Sequence, residues 1–211
     1  MTEIATGASL PIGPRGLRAA LWWIGGPNVP DVDASALLLG PEGRVGSDDD
    51  FVFYNQPADP SGAVRYFGKA GARGQQASII ELDLDRVPGA VARIVLAASA
   101  DGGTLGQVPG LVLQVADRAS GAPVAVFRMP AVVEPALIGG EICRDGSEWT
   151  FRAVGRGYRT GLAGLAADFG IRVDGPSAEQ PIAPPAPPAP AAPAPPPPIA
   201  PPVVSPAPVA P

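Results

Sequence analysis

A chain of 211 residues with 15 basic and 20 acidic side chains carries a formal net charge of -5, and it holds no histidine and one cysteine. That inventory excludes imidazole bases, Ser-His-Asp triads, thiolate metal clusters and an internal disulfide. The basic side chains form no stripe along the sequence, so nucleic acid is not an expected partner.

The first residues, "MTEIATGASLPIGPRG", lack a basic segment followed by an apolar one, and no apolar run reaches the ~18 residues of a membrane span. A cytoplasmic location and no transmembrane segment are therefore expected. Short apolar or alternating runs then recur between turn signals, the pattern of an all-β sandwich or barrel. Strands are predicted at 17–24, 35–39, 51–54, 63–66, 78–83, 92–98, 111–116, 124–128, 138–144 and 149–154. The gaps read "GPEG", "DPSG", "VPG", "ASGAP" and "RDGS". Glycine supplies positive φ there and proline presets the first turn angle.

One segment departs from the strand pattern. "RTGLAGLAADFG", 159–170, puts Leu162, Leu165, Ala166 and Phe169 on one face at helical spacing and ends at Gly170, a C-cap residue. The expected fold is all-β, an antiparallel sandwich of two sheets with one short C-terminal helix. Gly155, Gly157 and Gly161 precede the helix, but no parallel βαβ unit surrounds them, so a strand-to-helix turn is expected rather than a phosphate loop.

From Gly175 onward the sequence holds more than half of the 29 prolines and no charged residue after Glu179. Such a segment has few backbone donors and no large aromatic to bury. The expected organisation is a folded domain over 1–174, ending near Val173, and a disordered Pro/Ala-rich tail over 175–211. An extended tail of this kind can tether the domain or serve as a ligand for an aromatic-lined groove on a partner.

Candidate chemistry concentrates in residues 30–56, "PDVDASALLLGPEGRVGSDDDFVFYNQ", with five aspartates. In extended backbone, residues two apart share a face, which pairs Asp31 with Asp33 and Asp48 with Asp50. Calcium takes six to eight oxygens at about 2.3–2.6 Å. Two such pairs brought together, with Asn55 and Gln56 adding amide oxygens, supply much of that shell, and a cation relieves their mutual repulsion. Equally, "GSDDD" reads as a solvated turn in which Asp and Ser bond their own backbone. The residues alone leave both readings open.

A carboxylate-dependent hydrolase is the enzymatic alternative and requires a deep cleft holding two of the aspartates. Trp22, Trp23 and Trp149 sit in strand patterns that suit core packing better than a sugar platform. Cys143, in the alternating run "LIGGEICRDG", reads as a buried small hydrophobe.

The blocks "DVDASALLL", "SDDDFVFYNQ", "ELDLDRVPGAVARIVLAAS", "GEICRDGSEWTFRAVGRGY" and "GLAGLAADFGIRV" resemble, in order and spacing, the TerD family of bacterial tellurium-resistance and general stress proteins. The resemblance spans about residues 5–173. It implies a two-sheet β-sandwich that binds calcium, catalyses no demonstrated reaction, and works with other stress-system proteins in membrane-associated or multiprotein assemblies. Carried over by position, the implied metal residues are Asp31, Asp33, Asp48, Asp50 and Asn55.

Two departures stand out. Val29 occupies the place of a leading acid, and "FGKAGARGQQAS", 67–78, replaces an acid-rich stretch, with Lys69 and Arg73 bringing positive charge. Fewer carboxylates and added cations lower calcium affinity. Calcium is therefore expected to bind weakly or not at all, with Lys69 or Arg73 folding over Asp48 to Asp50 as an internal counter-ion. The expected function is a non-enzymatic stress-response module acting by binding; the alternative is a working calcium sensor or buffer.

Overall fold

The computed structural model describes residues 3–13, 15–72, 74–130 and 133–171. The proline-rich segment 175–211, the expected domain end near Val173 and Arg73 lie outside these residues. Among the described residues eleven strands pair in two antiparallel sheets, in agreement with the expected architecture. The strands are β1 (Ser9–Ile12), β2 (Gly16–Ile24), β3 (Asp31–Leu39), β4 (Phe51–Val52), β5 (Val64–Ala72), β6 (Gln75–Asp83), β7 (Arg93–Asp101), β8 (Val112–Asp117), β9 (Pro123–Arg128), β10 (Ala136–Asp145) and β11 (Glu148–Tyr158), followed by the helix α1 (Gly161–Asp168). The six-stranded sheet runs β1-β11-β10-β7-β3-β4 and the five-stranded sheet β5-β6-β2-β8-β9.

The alternation seen in the sequence sorts side chains between layers. Leu17, Ala19, Leu21 and Trp23 of β2 face Val32, Ala34, Ala36 and Leu38 of β3 in one core between the sheets, together with Phe127, Ile142, Trp149 and Phe151. Fully burying a side chain of this size contributes about 1.5–3 kcal/mol. The opposite parity of β3 carries Leu37 and Leu39 outward, where they join Val95, Ile138, Tyr158, Leu165, Ala166 and Phe169 in a second cluster. Thus α1 covers the outer face of the six-stranded sheet. The helix closes as expected: Gly170, at φ +92°, donates to Ala167 O at 3.0 Å and Ile171 donates to Ala166 O at 3.1 Å, a Schellman pair.

Several boundaries differ from the sequence expectation. β3 starts at Asp31, four residues early, because β7 pairs with it throughout. β4 stops at Val52, since Phe53 and Gln56 exchange backbone hydrogen bonds at 3.0 and 3.1 Å in a tight turn. β1 was not anticipated; it pairs with β11 from Ser9 to Ile12 despite a proline, which an edge strand tolerates.

The largest correction concerns 67–77, expected only as the connection between the strands predicted at 63–66 and 78–83. It is the distal half of a hairpin, with β5 running to Ala72 and β6 starting at Gln75. Gln75 to Ala77 continue the ladder opposite Ile24 to Trp22, and Gly74 makes the reversal at φ +83°. Likewise Gly155 and Gly157 lie inside β11 rather than in the turn before α1.

Candidate metal centre

Asp31 and Asp33 open β3 on the face opposite the core residues Val32 and Ala34, so their predicted shared orientation holds. Among the described residues β4 covers β3 only at Ala36 and Leu37 and no other strand pairs on that side, which leaves the first half of β3 as a free edge. There the Val32 N–H donates to Asp31 Oδ1 at 3.1 Å, and the Ala34 N–H donates to Ser78 Oγ of the other sheet at 2.9 Å.

Lys69 reaches this edge from β5. Its Nζ donates to Asp31 Oδ2 and stands 2.9 Å from Asp33 Oδ1. The Asp33 side chain is only 18% exposed and that of Asp31 58%, so the ammonium is engaged on its shielded and its open side. Burial works against the charge, yet the bonds to Asp31 and Asp33 outweigh it and raise the Lys69 pKa above its ordinary value.

Asp48 and Asp50 sit elsewhere. Asp48–Asp50 form a single 3-10 turn that leads into β4. Phe51 opposes Leu37, so this turn lies near the far end of β3, roughly 17 Å along the strand from Asp33 at ~3.3 Å per residue. Asp50 Oδ2 accepts the Gly46 and Ser47 amides at 2.8 and 3.0 Å. The Gln56 side-chain amide donates to the carbonyls of Asp48 and Phe51 at 2.9 and 2.8 Å, and Asn55 is exposed in the turn after β4. A shallow cavity beside the turn is lined by Val45, Gly46, Ser47, Asp48 and Gly170 and contains one aspartate.

Lys69 thus pairs with Asp31 and Asp33, not with Asp48 to Asp50 as the sequence suggested, because β5 brings it to the free half of β3. Asp101 stands opposite Asp31 in the ladder, yet among the described residues no three carboxylate, thiol or imidazole groups cluster as a metal shell.

Asp31 and Asp33 as they stand do not fit calcium: they offer two carboxylates against a need for six to eight oxygens. A divalent ion ~4 Å from the ammonium would also meet a repulsion of roughly 8 kcal/mol at an effective dielectric constant near 20. The Asp48 to Asp50 turn brings no cluster of three such groups together among the described residues either, and one oxygen of Asp50 accepts two loop amides.

A second polar cluster went unnoticed in the sequence. Glu141, 5% exposed on β10, accepts from Arg152 Nη2 at 2.5 Å and from Arg93 Nη1 at 3.3 Å. Its signal was a lone acid in an apolar strand; Arg152 faces it across the β10–β11 hairpin, 11 positions on, while Arg93 of β7 is 48 positions away. Cys143 follows two positions on and is half-buried, not fully buried as its strand pattern suggested. Burial and the nearby Glu141 push its thiol pKa up against the pull of Arg152 and Arg93, in keeping with an inert side chain.

The other buried acids are also held. Glu81 accepts from Arg18 at 2.7 Å, and Asp59 accepts the Val64 amide at 2.7 Å and the Ser61 amide at 2.9 Å.

Comparisons with known proteins place this geometry. The TerD domain matches residues 14–169. Tellurium resistance protein TerD of Serratia marcescens is 36% identical over 150 residues, 67% of this chain and 78% of the relative. General stress protein 16U of Bacillus subtilis is 31% identical over 152 residues, 68% of this chain and 79% of the relative.

Two solved structures share the fold. The crystal structure of SAV2460, a protein of unknown function, superposes with a TM-score of 0.62 at 22% identity, covering 77% of this chain and all of that one. A TerD homologue from Streptomyces coelicolor, SCO6318, gives 0.59 at 19% identity over 73% of this chain and 96% of that one. With the domain match running from β2 through α1, the chain belongs to the TerD family.

Proposed function

We propose that this chain is a non-enzymatic stress-response module of the tellurium-resistance class, which acts by binding other proteins of the stress system. The observation that carries the reading is the match over residues 14–169 to a domain whose relatives are named as tellurium resistance and general stress proteins. The side chains agree with it. The buried acids Asp59, Glu81 and Glu141 are each committed to a turn or to arginines, and Asp31 and Asp33 to Lys69. Carboxylates so engaged hold the fold and are poor general acids or bases.

In this reading calcium binds weakly or not at all, and the module works in the cytoplasm, in membrane-associated or multiprotein assemblies. No helix among the described residues is long and apolar enough to cross a membrane. The proline-rich segment 175–211 has the composition of a ligand for an aromatic-lined groove on a partner.

Growth tests this reading. Cells deleted for the chain should be hypersensitive to tellurite or to chemical stress and be rescued by the wild-type gene. Equal growth of deleted and rescued cells under every stress tried would overturn it.

A further inference from the structure

The free half of β3 poses a physical problem that Lys69 resolves. Unpaired strand edges invite pairing with other chains, and proteins close them with charges or covering side chains. Here the Val32 and Ala34 amides are taken by Asp31 Oδ1 and Ser78 Oγ, and Lys69, opposite Ser78 in the β5–β6 ladder, clasps the two carboxylates. The contact joins β5, an edge of the five-stranded sheet, to β3 of the six-stranded sheet. An ammonium has three donors and two are used here, each on a different carboxylate.

We propose that the ammonium of Lys69, held between Asp31 and Asp33, is a built-in cation that fastens the two sheets at the open end of β3 and stands where a divalent ion would otherwise bridge them, so that this fold closes independently of calcium. This deepens the reading of calcium as a weak or absent ligand by naming the side chain responsible. It makes binding by this chain constitutive rather than calcium-gated.

The proposal predicts a conversion. Replacing Lys69 by a carboxylate removes the internal cation and adds oxygens to a corner that already has Asp31, Asp33 and, across the ladder, Asp101. The full chain and the variants Lys69→Asp and Lys69→Gln would be melted in calcium chloride, magnesium chloride and EDTA, with calorimetric titration of calcium alone.

The wild type should melt at one temperature in all three. Lys69→Asp should melt lower in EDTA and recover by roughly 5–10 °C in calcium at about a hundredfold excess over Kd. Lys69→Gln should show the same response in smaller degree, and it decides the matter if Lys69→Asp does not fold. Calcium stabilisation of the wild type as large as that of the variants would overturn the proposal, and so would variants indifferent to calcium. Neither result bears on the growth phenotype, so the two readings fail separately.

Discussion

Ser78 of β6 accepts the backbone N–H of Ala34 in β3 at 2.9 Å, a hydrogen bond that crosses from one sheet to the other inside the sandwich. Ser78 is fully buried, and among the described residues Ala34 has no strand partner on that side. A side chain here does the work of a missing neighbouring strand.

Removing that hydroxyl leaves a buried amide unsatisfied. Ser78→Ala should therefore destabilise by about 1–3 kcal/mol. Denaturant melts of Ser78→Ala and Ser78→Thr check it: the threonine variant keeps the oxygen and should recover part of the loss, while equal losses would point to packing instead.

The Glu141 cluster should respond asymmetrically. Arg93 and Arg152 are 30% and 47% exposed at the side chain, so each can turn to water when Glu141 becomes neutral. Glu141→Gln should cost about 1.5–3 kcal/mol, the worth of hydrogen bonds to a charged group. The double change Arg93→Ala with Arg152→Ala strands a buried carboxylate and should cost more, about 3–5 kcal/mol. Urea unfolding of both at neutral pH tests the order.

Tyr158 gives a pH signature. Burial raises its phenol to about 12; Arg156 opposes the rise, and the carboxylates of Asp168 and Glu141 add to it. The folded state therefore holds this proton after the unfolded chain, near pH 10, has released it. The associated stability is complete below about pH 10 and is lost as pH rises through about 12. An ultraviolet titration of wild type minus Tyr158→Phe should show the late midpoint, and Tyr158→Phe should lose less stability across that window.

Cys143 should react slowly. Burial and Glu141 hold its thiol pKa up, and the thiolate is the reactive form. A disulfide-exchange reagent at pH 8 should modify the folded chain more slowly than the urea-unfolded chain. Glu141→Gln should speed the reaction of the folded protein by removing one of the two causes.

Most of the sandwich was legible because β2, β3, β7 and β10 carry alternating or continuous apolar runs that only a strand in this architecture can bury. What was missed had weak intrinsic preference. The tip of the β5–β6 hairpin has no apolar alternation; Gln75 and Gln76 are extended by pairing with Ile24 and Trp23 of β2, and Gly71 and Ala72 by pairing with Gln76 and Gln75. Gly155 and Gly157 joined β11 in the same way.

At the candidate metal centre, the spacing of Asp31 and Asp33 gave their common face. It could not say which charge would meet them, since Lys69 is 38 positions away from Asp31 and on the other sheet. The distance between the two aspartate pairs was hidden for a related reason. A two-residue β4 sets where Asp48 to Asp50 fall along β3, and that register is written in backbone pairing rather than in residue type.

Lys69 is also the one lysine in the chain. An amine-directed acylating reagent consequently finds a single side-chain address, and that address is clasped by two carboxylates. Acylation would replace the ammonium with a neutral amide and leave a fixed mass tag behind. The rate at which that tag accumulates on the native protein follows how often this ammonium leaves its two carboxylates and gives up its proton.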